Sequence, residues 1–339
     1  MKEKILVTGG LGFIGSHTVI SLFEAGFEPI IVDNLSNSNI YVLDGIEAVI
    51  GYRPEIHVFD VLDHVKLNEL FKIHTISAIV HFAAFKAVGE SVQFPIKYYK
   101  NNVSGLVTLL EVMEKNEIQN IVFSSSCTVY GEPDIIPVSE NNKLKPAESP
   151  YGATKQMGEI ILKDNAHWCQ SQCLRYFNPI GAHSSAKIGE LPLGVPNNLI
   201  PFLTQSVSGL RDELTVYGND YDTPDGTCIR DYIHVVDLAE AHVHSVKRLL
   251  KHQQLTAFEV FNIGTGTGSS VLEVINTFEK VNGVSVPHKI GERRSGDVVK
   301  VWANTEKVNT VLGWVAKKNL EDMLKDAWNW QKSLNSISK

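Results

Sequence analysis

Short apolar, β-branched runs recur along the first half of the chain, and each is followed by a helical pattern. Lys4 to Thr8 reads as a strand. Ser16 to Ala25 reads as a helix whose apolar face is Val19, Ile20, Leu22 and Phe23, ended by Gly26. Pro29 to Val32, Ile56 to Phe59, Ala78 to Phe82 and Ile121 to Ser124 read as four further buried strands, with helices over Leu67 to Phe71 and Tyr98 to Met113. Such alternation predicts right-handed βαβ units, hence an α/β fold with a doubly wound parallel sheet.

After Asn178 the texture changes. Pro179, Pro192, Pro196, Pro201 and Pro224, with Gly181, Gly189 and Gly194 between them, predict an irregular second unit. A helix from Val236 to Leu250 and a strand from Phe258 to Ile263 resemble the first half, as if the chain returned to it. The expected organisation is therefore a dinucleotide-binding domain over 1–178 with returning segments at about 232–265. A smaller, interwoven, discontinuous C-terminal substrate domain would take up 179–339.

Composition narrows the class. The 339 residues are 43% hydrophobic and 20% charged, ample for a packed core. Lys and Arg number 31 against 38 Asp and Glu, so no broad cationic surface invites nucleic acid or acidic lipid, although a local arginine pocket for one small anion stays open. No apolar run approaches the ~20 residues of a membrane helix, and the N-terminal apolar stretch is too short for a signal peptide. A cytoplasmic location is expected. Four cysteines are too few for a disulfide scaffold. Cys169 and Cys173, with His167 nearby, could suggest a metal, but no second ligand pair accompanies them, so they read as reduced core thiols and no metal is expected.

Gly9, Gly12 and Gly15 follow a strand and open a helix, the context that makes a glycine pattern a dinucleotide fingerprint and the sheet a Rossmann sheet. The glycines admit the backbone to a pyrophosphate, and the helix N-terminus, from Phe13 and Ile14, offers free N–H groups. Asp33 ends the second strand, where a carboxylate binds ribose hydroxyls and repels a 2′-phosphate; no arginine lies between it and Ser38. NAD is the expected cofactor. The run Asp33, Asn34, Leu35, Ser36, Asn37 and Ser38 is assigned to it. Asp60 and Val61 follow the third strand, where Asp60 is placed for the adenine edge but could equally form a turn. Phe82, Ala83 and Ala84 supply small residues where the cofactor passes.

Tyr151 and Lys155 form Y-x-x-x-K, which on a helix puts both side chains on one face. A nearby ammonium stabilises tyrosinate, so the phenol can take a proton from a sugar or alcohol hydroxyl while hydride leaves the same carbon. The pair follows the fifth strand and Ser124-Ser125-Ser126, whose hydroxyls can bind the reacting oxygen. If the oxidised product stayed bound, turned and took the hydride back, the net result would be inversion.

Nearly the whole chain, from residue 4 to about 314, resembles the UDP-glucose 4-epimerase family of the extended short-chain dehydrogenase/reductases. The resemblance is carried by Thr8 to His17, Asp33 to Leu35, Phe82 to Ser91, Asn101 to Val103, Ser124 to Gly131, Tyr176 to Pro179, Pro196 to Leu199 and Arg230 to His234. It implies C4 epimerisation of UDP-hexoses through a transient 4-keto sugar, with Tyr151 as base, Lys155 lowering its pKa, and Ser126 on O4. It places Lys86 and Asn101 at the nicotinamide end, Lys155 on its ribose and Phe177 beside it. Asn178, Asn198 and Leu199 would meet the diphosphate, Thr215, Val216 and Tyr217 the uracil, Arg230 and Arg294 the phosphates, and Asp297 the uridine ribose. It also implies a homodimer built on the helices around Asn101 to Met113 and around Tyr151, whose apolar residues could equally be plain core.

Val301 stands where family members restricted to glucose and galactose usually carry tyrosine, leaving space for an N-acetyl group; UDP-GlcNAc and UDP-GalNAc are therefore expected substrates as well. The nearest rival reading is a nucleotide-sugar 4,6-dehydratase. Those enzymes typically place an Asp-Glu pair where this chain has Cys127-Thr128. A non-catalytic NAD-binding regulator would be expected to lose Tyr151 or Lys155.

Overall fold

The computed structural model describes residues 2–294 and 297–337. Seven parallel strands form the main sheet: β1 (Lys4–Thr8), β2 (Glu28–Asp33), β3 (Glu55–Val58), β4 (Ile76–His81), β5 (Asn120–Ser126), β6 (Gln170–Tyr176) and the late-arriving β10 (Phe258–Ile263). Their order is β10-β6-β5-β4-β1-β2-β3. The chain winds outward in both directions from the β1/β4 junction, so a crevice opens at the carboxyl ends of those two strands, where open α/β sheets bind ligands. Gly9 and Phe82 are the first residues past β1 and β4, and Gly9 N donates to Val32 O at 2.7 Å.

Helices cover both faces, as the near-continuous apolar strands require. One face packs against α1 (Phe13–Glu24), α2 (Val42–Ile50) and α9 (Val235–Leu250) through Val19, Leu22, Leu43, Ile46, Leu238 and Val246. The other packs against α3 (His64–Ile73), α6 (Gly105–Lys115) and α7 (Pro150–Asp164) through Leu67, Phe71, Leu109, Met113 and Leu162. Cys169 and Cys173 are free, fully buried thiols in this second cluster, and burial pushes Cys169 up to about 12.

The helix expected over Tyr98 to Met113 is continuous but not uniform. Short α4 (Val88–Gln93) and α5 (Pro95–Tyr98) lead into a π-turn at Tyr99–Ser104 before α6 begins. The wide turn lets Asn102 reach sideways: its amide accepts from Phe85 N and donates to Phe85 O and Thr154 Oγ1. The loop after β4 is thereby fastened to α7.

A second core holds the C-terminal part. β7 (Asn178–Ile180) and β13 (Lys300–Val301) pair in parallel with β9 (Ile229–His234), and β11 (Gly268–Ser270) pairs antiparallel with it; β8 (Leu214–Tyr217) pairs with β12 (His288–Gly291). The helices α8 (Leu199–Val207), α10 (Val271–Asn282) and α11 (Leu320–Ile337) enclose Leu203, Val216, Phe278 and Leu324. Among the described residues no helix is long and apolar enough to cross a membrane.

Candidate active site

A cleft of about 560 Å³ opens at the β1/β4 junction. Of the residues expected to hold the cofactor, Gly9, Gly12, Asp33, Asn34, Ser36, Asn37, Ser38, Asp60, Val61, Phe82, Ala83, Ala84 and Asn101 line it. Val32, Phe59 and Phe85 line it too and escaped the sequence reading. The close turn explains the glycines. A Cβ at Gly15 would stand 2.2 Å from Gly9 O, and one at Gly9 would stand 2.9 Å from Ala83 N. Phe13, Ile14 and Gly15 form the first turn of α1, leaving its early N–H groups free for an anion.

Asp33 does more than face the cleft. Its Oδ2 accepts from Leu11 N at 3.0 Å, and its Oδ1 accepts from Leu35 N at 2.9 Å and Ser38 Oγ at 2.7 Å. The carboxylate therefore fixes both the glycine turn and the loop after β2. Leu35 sits at φ 59°, and its side chain packs on the core. Asn34 Nδ2 donates to Asp60 Oδ2 at 2.8 Å, bridging the loops after β2 and β3 where they line the cleft.

At the other end, the first turns of α7 lie against the tip of β5. Lys155 is buried and donates from Nζ to Ser124 O at 2.6 Å, its ammonium 5.8 Å from the centre of the Tyr151 ring. Ser126 Oγ accepts from Thr128 N at 3.2 Å and Thr128 Oγ1 at 3.0 Å, which leaves its own proton to donate. Burial pushes the Tyr151 phenol up to about 12, and the hydrogen bond with Ser126 pulls against it. Burial brings Lys155 down to about 8, with Cys173 and Glu159 pulling it back up. In the protein alone, then, desolvation of the phenol outweighs its hydrogen bond with Ser126. Cys127 is held neutral, its thiol pushed up to about 11 by burial, so it offers no base beside the site.

The residues expected to meet the substrate lie on β7, α8, β8, β9 and the segment leading into β13, several with partners of their own. Lys86 turns from the cleft to pair with Glu190 Oε1 at 3.0 Å, and the same oxygen accepts from Asn198 Nδ2 at 3.0 Å. Glu190 was not foreseen; nothing in its local pattern separates it from a loop carboxylate. Asn178 opens β7, and Leu199 opens α8 with its side chain on the second core. Along β8 the burial alternates, so Thr215 and Tyr217 face away from the core while the Val216 side chain is buried in it. With its side chain in the core, Val216 has its backbone to offer a base. Asp297 receives two hydrogen bonds from Arg294, at 2.7 and 3.2 Å, and lies 3.6 Å from Arg230. Both arginines already share this carboxylate, and the Arg294 guanidinium lies 5.6 Å from the centre of the Tyr217 ring. Val301 pairs with Arg230 across β13 and β9 and is buried with Phe177, Val129 and Tyr130.

Comparison with known proteins assigns the lineage. A family model described as GDP-mannose 4,6 dehydratase matches residues 6–327. The UDP-glucose 4-epimerase of Yersinia enterocolitica is 49% identical over 332 residues, 97% of each chain. The chain belongs to the UDP-glucose 4-epimerase family. Among solved structures of this family, that from Stenotrophomonas maltophila, with bound NAD and formylated UDP-arabinopyranose, matches at TM-score 0.96 and 43% identity over 99% of each chain. That from Bifidobacterium longum, in complex with NAD+ and UDP, matches at TM-score 0.92 and 43% identity over 97% of this chain and 98% of its own.

Elsewhere, at the β3 edge of the sheet, Glu55 Oε1 lies 2.8 Å from His57 Nε2 and 3.1 Å from His74 Nε2. The Lys4 ammonium, 3.3 Å from His74 Nδ1, donates to it and so keeps the His74 proton on Nε2, aimed at Glu55. That arrangement is a proton-bridged trio, opposed to a cation.

Proposed function

We propose that this chain is an NAD-dependent isomerase that inverts C4 of UDP-hexoses, interconverting UDP-glucose and UDP-galactose. The observation that carries the reading is the convergence of Tyr151, Ser126 and Lys155 at the tip of β5, beside a cleft built for a dinucleotide. C4 of a glycosyl nucleotide is not adjacent to a carbonyl, so deprotonation alone cannot invert it; oxidation to a 4-keto sugar and reduction from the other face can. NAD, when bound, supplies the hydride acceptor and donor. The glycine turn, Asp33 to Ser38, Asp60 and Asn101 would hold it.

Tyr151 would remove the O4 proton and return it on the opposite face, with Ser126, held by Thr128, donating to the same oxygen. Lys155, tethered to Ser124 O, would keep positive charge beside the phenolate. The Arg230 and Arg294 pair would take the diphosphate bidentately, exchanging Asp297 for phosphate and freeing that carboxylate for the uridine ribose. Lys86 and Asn198, now joined through Glu190, stand between the nicotinamide end and the sugar. Two units would cooperate: residues 1–178 with about 232–265 for the dinucleotide, the rest for the UDP-sugar. Elimination as in the dehydratases lacks its acid and base, since Cys127 is neutral and Thr128 is engaged with Ser126.

The reading extends to the N-acetylated pair. Val301, beside Arg230 and packed with Phe177, is smaller than the tyrosine usual in members restricted to the plain hexoses, and that difference in volume would admit the C2 acetamido group. A cytoplasmic homodimer fits as well. Val92, Phe94 and Ile96 around α4 and α5, Val107 on α6, and Met157 and Ile160 on α7 are all exposed, with Ile96 at 80%. Clustered apolar exposure of this kind marks an interaction surface.

The test incubates the purified protein with UDP-galactose or UDP-N-acetylgalactosamine without added NAD and resolves the products by anion exchange. Conversion of both to their C4 epimers is expected. Conversion of UDP-galactose alone would remove the N-acetyl reading, and conversion of neither, even with NAD added, would overturn the function.

A further inference from the structure

Three residues at four-residue spacing on α7, Tyr151, Lys155 and Glu159, meet three consecutive serines at the end of β5. Tyr151 faces Ser126, Lys155 donates to Ser124 O, and Glu159 Oε1 accepts from Ser125 Oγ at 2.6 Å. The third pair plays no part in the reaction as described. It is nonetheless the most elaborately held. Arg175, directly opposite Ser125 on β6, donates through Nε to Glu159 Oε1 at 2.9 Å and through Nη2 to Oε2 at 2.6 Å. Its Nη1 donates to Tyr130 OH at 2.9 Å, and that hydroxyl donates to Asn262 Oδ1 on β10. Both charged side chains are 5% exposed.

A buried ion pair is a poor route to stability, because desolvation offsets the attraction. It is a good route to a single geometry. Here both Glu159 oxygens are consumed by Arg175 and Ser125, so the carboxylate cannot swing to Lys155. We propose that Glu159, clamped by Arg175 and Ser125, is a positioning residue that sets the register of α7 on β5 and thereby holds Lys155 and Tyr151 at the reacting oxygen. The inference rests on the epimerase reading.

Its charge acts as well. The titratable groups around Lys155 are Tyr151 and Glu159 on α7, Cys173 and Tyr176 on β6, and His81 on β4, with Arg175 on β6 one step further, against Glu159 and Cys173. Burial keeps Cys173 and His81 neutral at neutral pH, so Glu159 is the standing negative charge, balanced by Arg175. Removing it leaves Arg175 as an uncompensated cation, which disfavours the Lys155 ammonium.

The experiment compares E159Q, S125A and the charge-free double variant E159Q/R175M with the wild type as NAD-loaded holoenzymes. Readouts are kcat and KM for UDP-galactose across pH, and phenolate difference absorbance with Y151F as blank. For E159Q, kcat is expected to fall at least about tenfold with KM within about twofold, in line with the effect of misplacing a catalytic group. The alkaline limb is expected to move down by about one pH unit, and the phenol to titrate lower with it, since the same uncompensated cation favours tyrosinate. S125A keeps all charges and is expected to lose about threefold in kcat with the limb unmoved. The double variant restores charge balance, so its limb is expected to return toward the wild type while kcat stays low. Variants that melt lower yet keep wild-type kcat, limb and phenol titration per loaded subunit would overturn the proposal; should E159Q fail to fold, the other two decide. A wild type inactive at every pH would instead defeat the epimerase reading, leaving the phenol titration to judge the clamp.

Discussion

The glycine turn yields a sharp prediction because a glycine inside it and one just past the far end of the helix it opens would fail for different reasons. In Gly15→Ala the new methyl would lie 2.2 Å from Gly9 O, 2.9 Å from Gly10 Cα and 3.0 Å from the Gly9 carbonyl carbon. All are backbone atoms, and ordinary contact begins at 3.4 Å, so the turn and helix must part by more than 1 Å. Overpacking of this kind costs about 1–3 kcal/mol, and here the displaced atoms carry the N–H groups meant for the pyrophosphate. If most of that cost falls on the bound state, NAD affinity drops about tenfold to a hundredfold, at about 1.4 kcal/mol per decade. Gly26→Ala, just past the end of α1, is the control. Gly26 sits at φ +92° with nothing within 4 Å of the place a methyl would take, so the change would lose about 1 kcal/mol of stability to backbone strain alone. Two assays separate the outcomes, NAD retained per subunit after purification and NAD binding to stripped protein. A Gly15→Ala protein that holds NAD as tightly as Gly26→Ala does would refute the claim that close backbone approach shapes the cofactor site.

Val301→Tyr is expected to lower kcat/KM for UDP-N-acetylgalactosamine at least about tenfold while changing UDP-galactose turnover by less than about threefold; retained N-acetyl activity would discard the open-pocket argument. Ile160→Glu is expected to turn a dimer into a monomer in analytical ultracentrifugation, and an unchanged sedimentation coefficient would move the interface elsewhere. Burial lowers His17 and His81 to about 3 and His242 to about 4. Between those values and the ordinary 6.5, the unfolded chain binds protons that the native state refuses, so stability falls as pH drops below 6.5. Urea midpoints should decline from about pH 6.5 to about pH 4, by up to about 1.4 kcal/mol per pH unit for each buried histidine; a flat profile would contradict it.

Much of this molecule is legible in its residues because the signals are local. Apolar runs such as Ile5-Leu6-Val7 and Ile30-Ile31-Val32 are buried on both faces and can be nothing but inner strands. The glycine turn and Tyr151/Lys155 are equally local, each compressed into one strand-to-helix junction or one helical turn. The misreadings are of another kind. The π-turn at Tyr99–Ser104 leaves the helical pattern almost intact, so a uniform helix was the natural expectation. Glu159 with Arg175, and Glu190 with Lys86, are pairs whose members are 16 and 104 residues apart. Only the fold brings such charges together.

The lateness of β10 bears on how the protein is made. This strand completes the sheet at the β6 edge, pairing Phe258 to Ile263 with Ser171 to Tyr176. Glu259 also binds Gln172 and Arg248, so the join carries side chains as well as backbone. While a ribosome is still adding the intervening residues, β6 presents an unpaired edge with Cys173, Leu174 and Tyr176 along it, the kind of surface that recruits another strand. A fragment stopped at residue 178 would stay in that condition permanently and is expected to associate through it. The β6 edge is therefore covered only after about three quarters of the chain has emerged.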